Sequence, residues 1–215
     1  MAYGGFRQIF GPLLRMKRGQ VTGKENLPAQ PPFILAMNHE GFFDPLVLLT
    51  ILYEKYKRKV YFLTAENIWS VWGEYLAKNW LGMIPLHKET DEGKRSAIDE
   101  AVKYLQQGDI FGIFPEGGRN TDKDNLLKGK TGAVRIAIKS RVKIVPIGLV
   151  NETGHRIGEA FKSIYDPNKK VHISIGSAME FSEYYDQEIS KEILDKATRR
   201  LMLEIGRLCN KQYKH

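Results

Sequence analysis

Apolar side chains in this chain fall into short unbroken runs and longer stretches with helical spacing, and the two alternate. Phe33–Met37 is a run of five apolar residues, the pattern of a strand buried on both faces. Val60–Thr64, Met83–Leu86, Ile110–Phe114 and Lys143–Val150 read the same way, and Val171–Gly176 alternates. Asp44-Pro45 reads as an N-cap followed by proline at the first helical position, opening a helix through about Lys57. Ile68, Val71, Trp72, Tyr75 and Leu76 predict a helix over 67–80. Lys94–Gln107 places Ile98, Ala101, Val102 and Leu105 on one face and has Gly108 as its stop. Further helices are predicted over Thr131–Ser140 and over 187–211, the latter carrying Ile189, Ile193, Ala197, Leu201, Ile205 and Leu208. Alternating strands and helices predict an α/β domain: a central mixed, largely parallel sheet flanked by helices.

The first residues follow a different pattern. Residues 1–24 hold five cations (Arg7, Arg15, Lys17, Arg18, Lys24) and no acid. Phe6, Ile9, Phe10, Leu13 and Leu14 are spaced as on one helix face, broken at Gly11 and Pro12. Without a continuous apolar centre this is not a signal peptide. It is either a short helix capping the core or an amphipathic segment whose apolar face enters a membrane surface while its cations meet anionic lipid. The expected organisation is therefore residues 1–20 as an N-terminal membrane-contacting segment and residues 21–215 as one domain.

Composition narrows the partners. Of 215 residues, 42% are hydrophobic and 27% charged, which excludes wholesale disorder. The single cysteine, Cys209, rules out an internal disulfide framework. It adjoins Leu208 on the apolar side of the last helix and reads as core, not as a nucleophile. A net charge of +8 points to an anionic partner. The cations are spread along the chain and match no nucleic-acid fingerprint, so nucleic acid is not expected. No apolar run approaches the ~20 residues that span a bilayer. The five histidines (39, 87, 155, 172 and 215) lack metal-ligand spacing, and no metal is expected.

Three loops carry residues that packing does not require. In Asn38-His39-Glu40-Gly41-Phe42-Phe43-Asp44, a strand–loop–helix turn can bring Asp44 back onto the His39 imidazole. The carboxylate would fix the tautomer and leave the other ring nitrogen as a general base. The alternative is a plain helix cap beside a loop histidine. In Phe114-Pro115-Glu116-Gly117-Gly118-Arg119-Asn120, directly after a strand, two glycines allow close backbone approach to a ligand, and Arg119 offers a donor fork suited to phosphate. A turn with an exposed Glu116–Arg119 ion pair is the other reading. In Lys128-Gly129-Lys130-Thr131-Gly132, a helix start beside lysines attracts anions. This last loop imitates a nucleotide P-loop and fails, because position 124 is Asp where the motif needs Gly.

The His-x-x-x-x-Asp of "NHEGFFDP", the later "FPEGGRN" and the strand "IVPIGLV" resemble, in order, the motif series of the glycerolipid acyltransferases, and among them the bacterial 1-acyl-sn-glycerol-3-phosphate acyltransferases, over about residues 21 to 180. The resemblance implies transfer of an acyl group from a thioester, acyl-CoA or acyl carrier protein, to the sn-2 hydroxyl of a lysophospholipid at an anionic membrane surface, with no other cofactor. It implies His39 as base, Asp44 as its partner, and Glu116, Gly117, Gly118 and Arg119 in the acceptor site, with Lys88, Lys128 and Lys130 as further phosphate-neutralising cations. Pro146 takes a mainly structural place. It implies a cytoplasmic protein held peripherally at the inner face of the cell membrane. Two positions depart from the family pattern: Gly118 stands where Thr or Ser is usual, and Lys88 where Arg is common. A different acceptor (glycerol-3-phosphate, another lysolipid or a glycolipid) and a non-catalytic basic membrane- or nucleic-acid-binding module are the competing readings.

Overall fold

Seven strands form one sheet in the computed structural model, which describes residues 11–56, 58, 60–65, 82–86 and 90–215. They are β1 (Arg18–Thr22), β2 (Phe33–Met37), β3 (Val60–Ala65), β4 (Met83–Leu86), β5 (Ile110–Ile113), β6 (Ile144–Asn151) and β7 (Val171–Ile175). Their order is β1-β7-β6-β2-β5-β3-β4, and every pairing is parallel except β6 with β7. Besides the helical residues 11–16, the described α-helices are α1 (Asp44–Tyr56), α2 (Asp91–Gln106), α3 (Gly132–Ser140), α4 (Ile157–Ser163) and α5 (Lys191–Cys209). The expected class, a mixed and largely parallel sheet between helices, is what the chain adopts.

The period of two along a strand assigns the core to two layers. Phe33, Leu35 and Met37 of β2 face one way and pack with Val47, Leu48, Ile51 and Leu52 of α1. Ile34 and Ala36 face the other way, onto Val134 and Ile138 of α3 and Leu201 and Ile205 of α5. All five β2 residues are buried, and full burial stabilises by ~1.5–3 kcal/mol for each of Phe33, Ile34, Leu35 and Met37.

Local signals set most boundaries. Ser190 caps α5, its side chain accepting from Ile193 N at 3.2 Å, and Asn210 ends the helix in the left-handed region at φ 57°. Thr90 caps α2 by accepting from Gly93 N at 3.0 Å, so this helix starts at Asp91, earlier than its apolar period suggests. Gly108 stops it at φ 82°. Two elements have no counterpart in the sequence reading, β1 and α4.

The N-terminal segment is where expectation and structure part. Residues 1–10 lie outside the described residues. Residues 11–16 are helical and built into the domain, with Leu14 in the core. Arg15 pairs with Glu54 at 3.0 Å, and so does Arg18. Lys17 is buried, its ammonium donating to the carbonyls of Ser163, Asp166 (2.7 Å) and Lys169 (3.3 Å). A boundary at residue 20 would cut through β1, which pairs with β7. The helix expected over 67–80 and the candidate Lys88 also fall outside the described residues. No described helix is long and apolar enough to cross a membrane.

Candidate active site

β2 is the strand at which the sheet order changes direction, with β5 on one side and β6 on the other, all three parallel. Their carboxyl ends therefore share one edge of the sheet, the edge at which open α/β folds bind ligands. The loops after β2 and β5 and the end of β6 meet there, and each contributes to one hydrogen-bonded cluster.

His39 and Asp44 meet as the spacing suggested. His39 Nδ1 lies 2.9 Å from Asp44 Oδ2, and Asp44 is fully buried. The same oxygen accepts from the amides of Glu40 and Gly41, both at 2.7 Å, and Oδ1 accepts from the Asn151 side-chain amide. Four donors thus converge on one carboxylate, which aims it at the imidazole and stabilises its charge. None of these donors lies in the first turn of α1, so Asp44 does not cap the helix as its sequence context suggested. Gly41 makes the approach possible: a Cβ there would sit 2.3 Å from Asn151 Nδ2 and 2.5 Å from the Gly154 carbonyl oxygen.

With Nδ1–H donated to Asp44, the basic lone pair of His39 falls on Nε2. The ring stacks on Phe114 at 4.1 Å, which holds it on one face, and the side chain retains 19% exposure. A partly exposed histidine oriented by a buried carboxylate can take a proton from a bound hydroxyl.

Glu116 lies behind this pair. Its buried carboxylate accepts from His39 N at 3.2 Å, from Asn120 Nδ2 at 2.9 Å and from Leu127 N at 2.8 Å. Asn120 N in turn donates to His39 O at 2.7 Å. Glu116 thus locks the two loops together from within, its oxygens occupied by these protein donors. Burial pushes its carboxyl pKa up, partly offset by those three donors and Lys211. Gly117 has φ 72° and carries the Lys130 side chain close above it, where a Cβ would meet Nζ at 2.8 Å. A Cβ at Gly118 would meet nothing within 4 Å.

Arg119 is exposed, with Nη1 donating to the His155 carbonyl at 2.8 Å; His155 Nδ1 lies 2.7 Å from the Glu40 carbonyl oxygen. The guanidinium is anchored at one nitrogen beside the His39 loop. Glu116 and Arg119 do not form the ion pair of the alternative reading. Lys128 goes elsewhere: with Lys191, Lys196, Arg199 and Tyr213 it lines an open cavity of about 750 Å³ beside α5.

Several members of the cluster were not singled out from sequence. Asn38 bridges to β6, donating to Leu149 O (2.9 Å) and accepting from Leu149 N (2.7 Å). Glu40 pairs with Lys211 at 2.6 Å, both side chains 7% exposed. Asn151, Asn120 and Phe114 complete the set; Asn38, Phe114 and Asn120 lie inside the quoted motifs, but nothing local marks Asn151 or Lys211. Cys209 is buried, and desolvation raises its thiol pKa to about 12. Iodoacetamide at neutral pH should leave the native protein unmodified over a time that fully alkylates the urea-unfolded chain, as read by mass spectrometry. Rapid native alkylation would show that the thiol is accessible.

The family model described as Acyltransferase matches residues 18–150. A 1-acyl-sn-glycerol-3-phosphate acyltransferase of Bacillus subtilis (strain 168) is 30% identical over 203 residues, covering 93% of this chain and 92% of that protein. One of Borreliella burgdorferi is 25% identical over 184 residues, 84% of this chain and 70% of that protein. The crystal structure of the 1-acyl-sn-glycerophosphate acyltransferase PlsC from Thermotoga maritima has the same fold, with a TM-score of 0.64 at 20% identity, covering 97% of this chain and 83% of that one. The matched span contains the whole of the His39–Asp44 and Glu116–Asn120 loops, and on that ground the chain belongs to the acyltransferase family.

Proposed function

We propose that this acyltransferase moves a fatty acyl group from acyl-CoA or acyl carrier protein to the free sn-2 hydroxyl of 1-acyl-sn-glycerol-3-phosphate. The observation that carries the reading is the His39 imidazole, its side chain partly exposed at the sheet edge while Nδ1 is held by buried Asp44. The assignment of the acceptor leans on the Bacillus subtilis relative, whose length this chain nearly matches.

In this scheme Nε2 takes the acceptor hydroxyl proton as the oxygen attacks the thioester carbonyl. Asp44 stabilises the imidazolium. The tetrahedral centre collapses with cleavage of the C–S bond, and the thiolate leaves with the proton returned from His39, giving ester and free thiol. No covalent acyl-enzyme is formed; the buried thiol of Cys209 is unsuited to one. The scheme uses no metal or cofactor beyond the thioester. Arg119, anchored on His155 O and exposed at its remaining donors, holds the acceptor phosphate, with Lys130 beside Gly117 as a second cation. Gly118, open to solvent, leaves room where a hydroxyl would otherwise contact the acceptor. Such a protein would work at the inner face of the cell membrane, held there peripherally.

Thiol release by the purified chain, measured with acyl-CoA and with acyl carrier protein against lysophosphatidate, glycerol-3-phosphate and a phosphate-free lysolipid, tests the reading. Lysophosphatidate is expected to be preferred. Arg119→Ala should raise its KM about 10- to 100-fold, the worth of a charge-assisted bidentate contact, with the donor KM nearly unchanged. Preference for the phosphate-free acceptor, or equal effects of Arg119→Ala on both substrates, would overturn the phosphate assignment.

A further inference from the structure

α4 is amphipathic in the inverted sense. It turns its small residues inward, Ala160 and Ser163 being buried. Its large apolar residues face out: Ile157 is 53% exposed, Phe161 51%, and Tyr165, two residues past the helix end, 90%. Ile157 and Phe161, at i and i+4, share one face of the helix, and Tyr165 follows in the turn after it. Large apolar groups left in water as a contiguous stripe mark a surface that something covers.

The stripe extends beyond the helix on both sides. The Phe161 ring lies 6.0 Å from Phe42 and 6.3 Å from Phe43, in the loop between His39 and Asp44. At the other end Lys17 holds the Ser163, Asp166 and Lys169 carbonyls, and Lys170 donates to Met16 O. This places Met16, 56% exposed, beside the C-terminal end of α4. The face thus runs from the mouth of the active site to the start of β1.

Its rim is basic. Residues 156–170 hold four cations (Arg156, Lys162, Lys169, Lys170) against two acids. Glu159 is turned back into its own loop, Oε2 accepting from His155 N at 2.9 Å and Arg156 N at 3.2 Å. Asp166 accepts from Asn168 N at 3.0 Å. Apolar side chains ringed by lysine and arginine are the composition of a surface that inserts shallowly among anionic headgroups. A second copy of the chain would bring two basic rims together, since a two-fold interface opposes like patches. Residues 1–10 carry one cation and no acid, so they offer the rim no complementary charge.

We propose that the outer face of α4, continued by Phe42 and Met16, is a docking surface for an anionic lipid bilayer. The choice of a lipid partner rests on the acyl-transfer reading, in which the acceptor is an amphiphile. Docking by this face sets the His39 loop against the membrane, so an acceptor can reach Nε2 without entering bulk water.

The test is co-sedimentation of the full chain with phosphatidylcholine vesicles containing phosphatidylglycerol, without substrate, together with thiol release on a water-soluble short-chain acceptor. Ile157→Ser/Tyr165→Ser, at exposed positions away from the catalytic cluster, should weaken vesicle binding about tenfold with unchanged melting. Lys162→Gln should weaken it at low salt and have little effect at high salt. Thiol release on the soluble acceptor should stay within about twofold of wild type. Equal vesicle binding by wild type and the Ser variant, or no binding by wild type, overturns the proposal. A concentration-dependent dimer lost in the Ser variant overturns it in favour of self-association. Vesicle binding that responds as expected in a protein with no thiol release would overturn the activity and support the docking face.

Discussion

Asp44→Asn is expected to lower acyl transfer by about 10²–10⁴-fold, and His39→Ala to do the same. The two variants differ in what they do to the fold. His39 is partly exposed, and among the described residues its side chain hydrogen-bonds to Asp44 alone and stacks on Phe114, so His39→Ala should melt close to wild type. Asp44 receives four donors. An asparagine can keep three of them by placing its carbonyl oxygen where Oδ2 stands. Its amide then faces the Asn151 amide, donor against donor. Asn151 cannot turn over without cost, because its Oδ1 accepts from Thr153 N and Thr153 Oγ1, both at 2.7 Å. Asp44→Asn should therefore also lose ~1–3 kcal/mol of stability, the penalty of an unsatisfied buried donor. The rate loss has another origin: the neutral side chain no longer stabilises the imidazolium. Because the two residues act as one unit, the double variant should be little slower than either single one. Turnover per folded molecule, from kcat and a thermal melt on the same sample, checks this. Full turnover in Asp44→Asn would disprove the pairing.

Lys211→Met is expected to destabilise the protein by about 3–5 kcal/mol, the usual consequence of leaving one member of a buried ion pair alone. Lys211 reaches the site from the chain after α5. Gln212 N donates to Asp124 O at 2.7 Å and Leu126 N to Gln212 O at 2.9 Å, which pins the tail across the loop following β5. The ammonium then meets Glu40 Oε1 at 2.6 Å with almost no solvent access. Glu40 Oε2 accepts from Asn151 N at 2.8 Å, and Glu40's own amide donates to Asp44. Methionine preserves the volume of the lysine stem and removes the charge, so the loss reads the unpaired Glu40 carboxylate together with the Asp122 carbonyl that the ammonium also reaches, and not a cavity. Adding Glu40→Gln should recover part of the stability, and the double-mutant cycle in urea gives the coupling. Melting of Lys211→Met at the wild-type temperature would show that Glu40 is stabilised without its partner. Activity should fall with stability here, since the loop that carries Glu40 also orients Asp44.

What was legible from the sequence follows from the range over which each signal acts. The buried strands were readable because burial on both faces demands an unbroken apolar run: Phe33–Met37 and Met83–Leu86 have the same limits in sequence and structure. The His39–Asp44 pair was readable because the four residues between them are enough to close it. β1 was missed because it is a polar edge strand, RGQVT, whose only apolar residue is Val21 and whose identity comes from pairing with β7. α4 was missed because its apolar residues face outward, against the rule by which periodicity is read. The start of α2 was missed because its first turn, Asp91-Glu92-Gly93, is polar and is specified by the Thr90 cap.

The rest of the site belongs to tertiary structure. Asn151 lies 107 residues from Asp44 and reaches it only because β6 is placed beside β2, a choice of strand order that no local pattern encodes. The same placement, with β5 on the other side, turns Glu116 inward, because the amides of His39 and Leu127 meet there without a strand to pair with and need a buried acceptor. The sequence by itself determined six of the seven strands, the largely parallel class and the approach of Asp44 to His39, since apolar burial and a short loop are local constraints. Only the tertiary structure decided which distant polar groups hold that pair, because buried hydrogen-bond donors and charges find their partners in space and not along the chain.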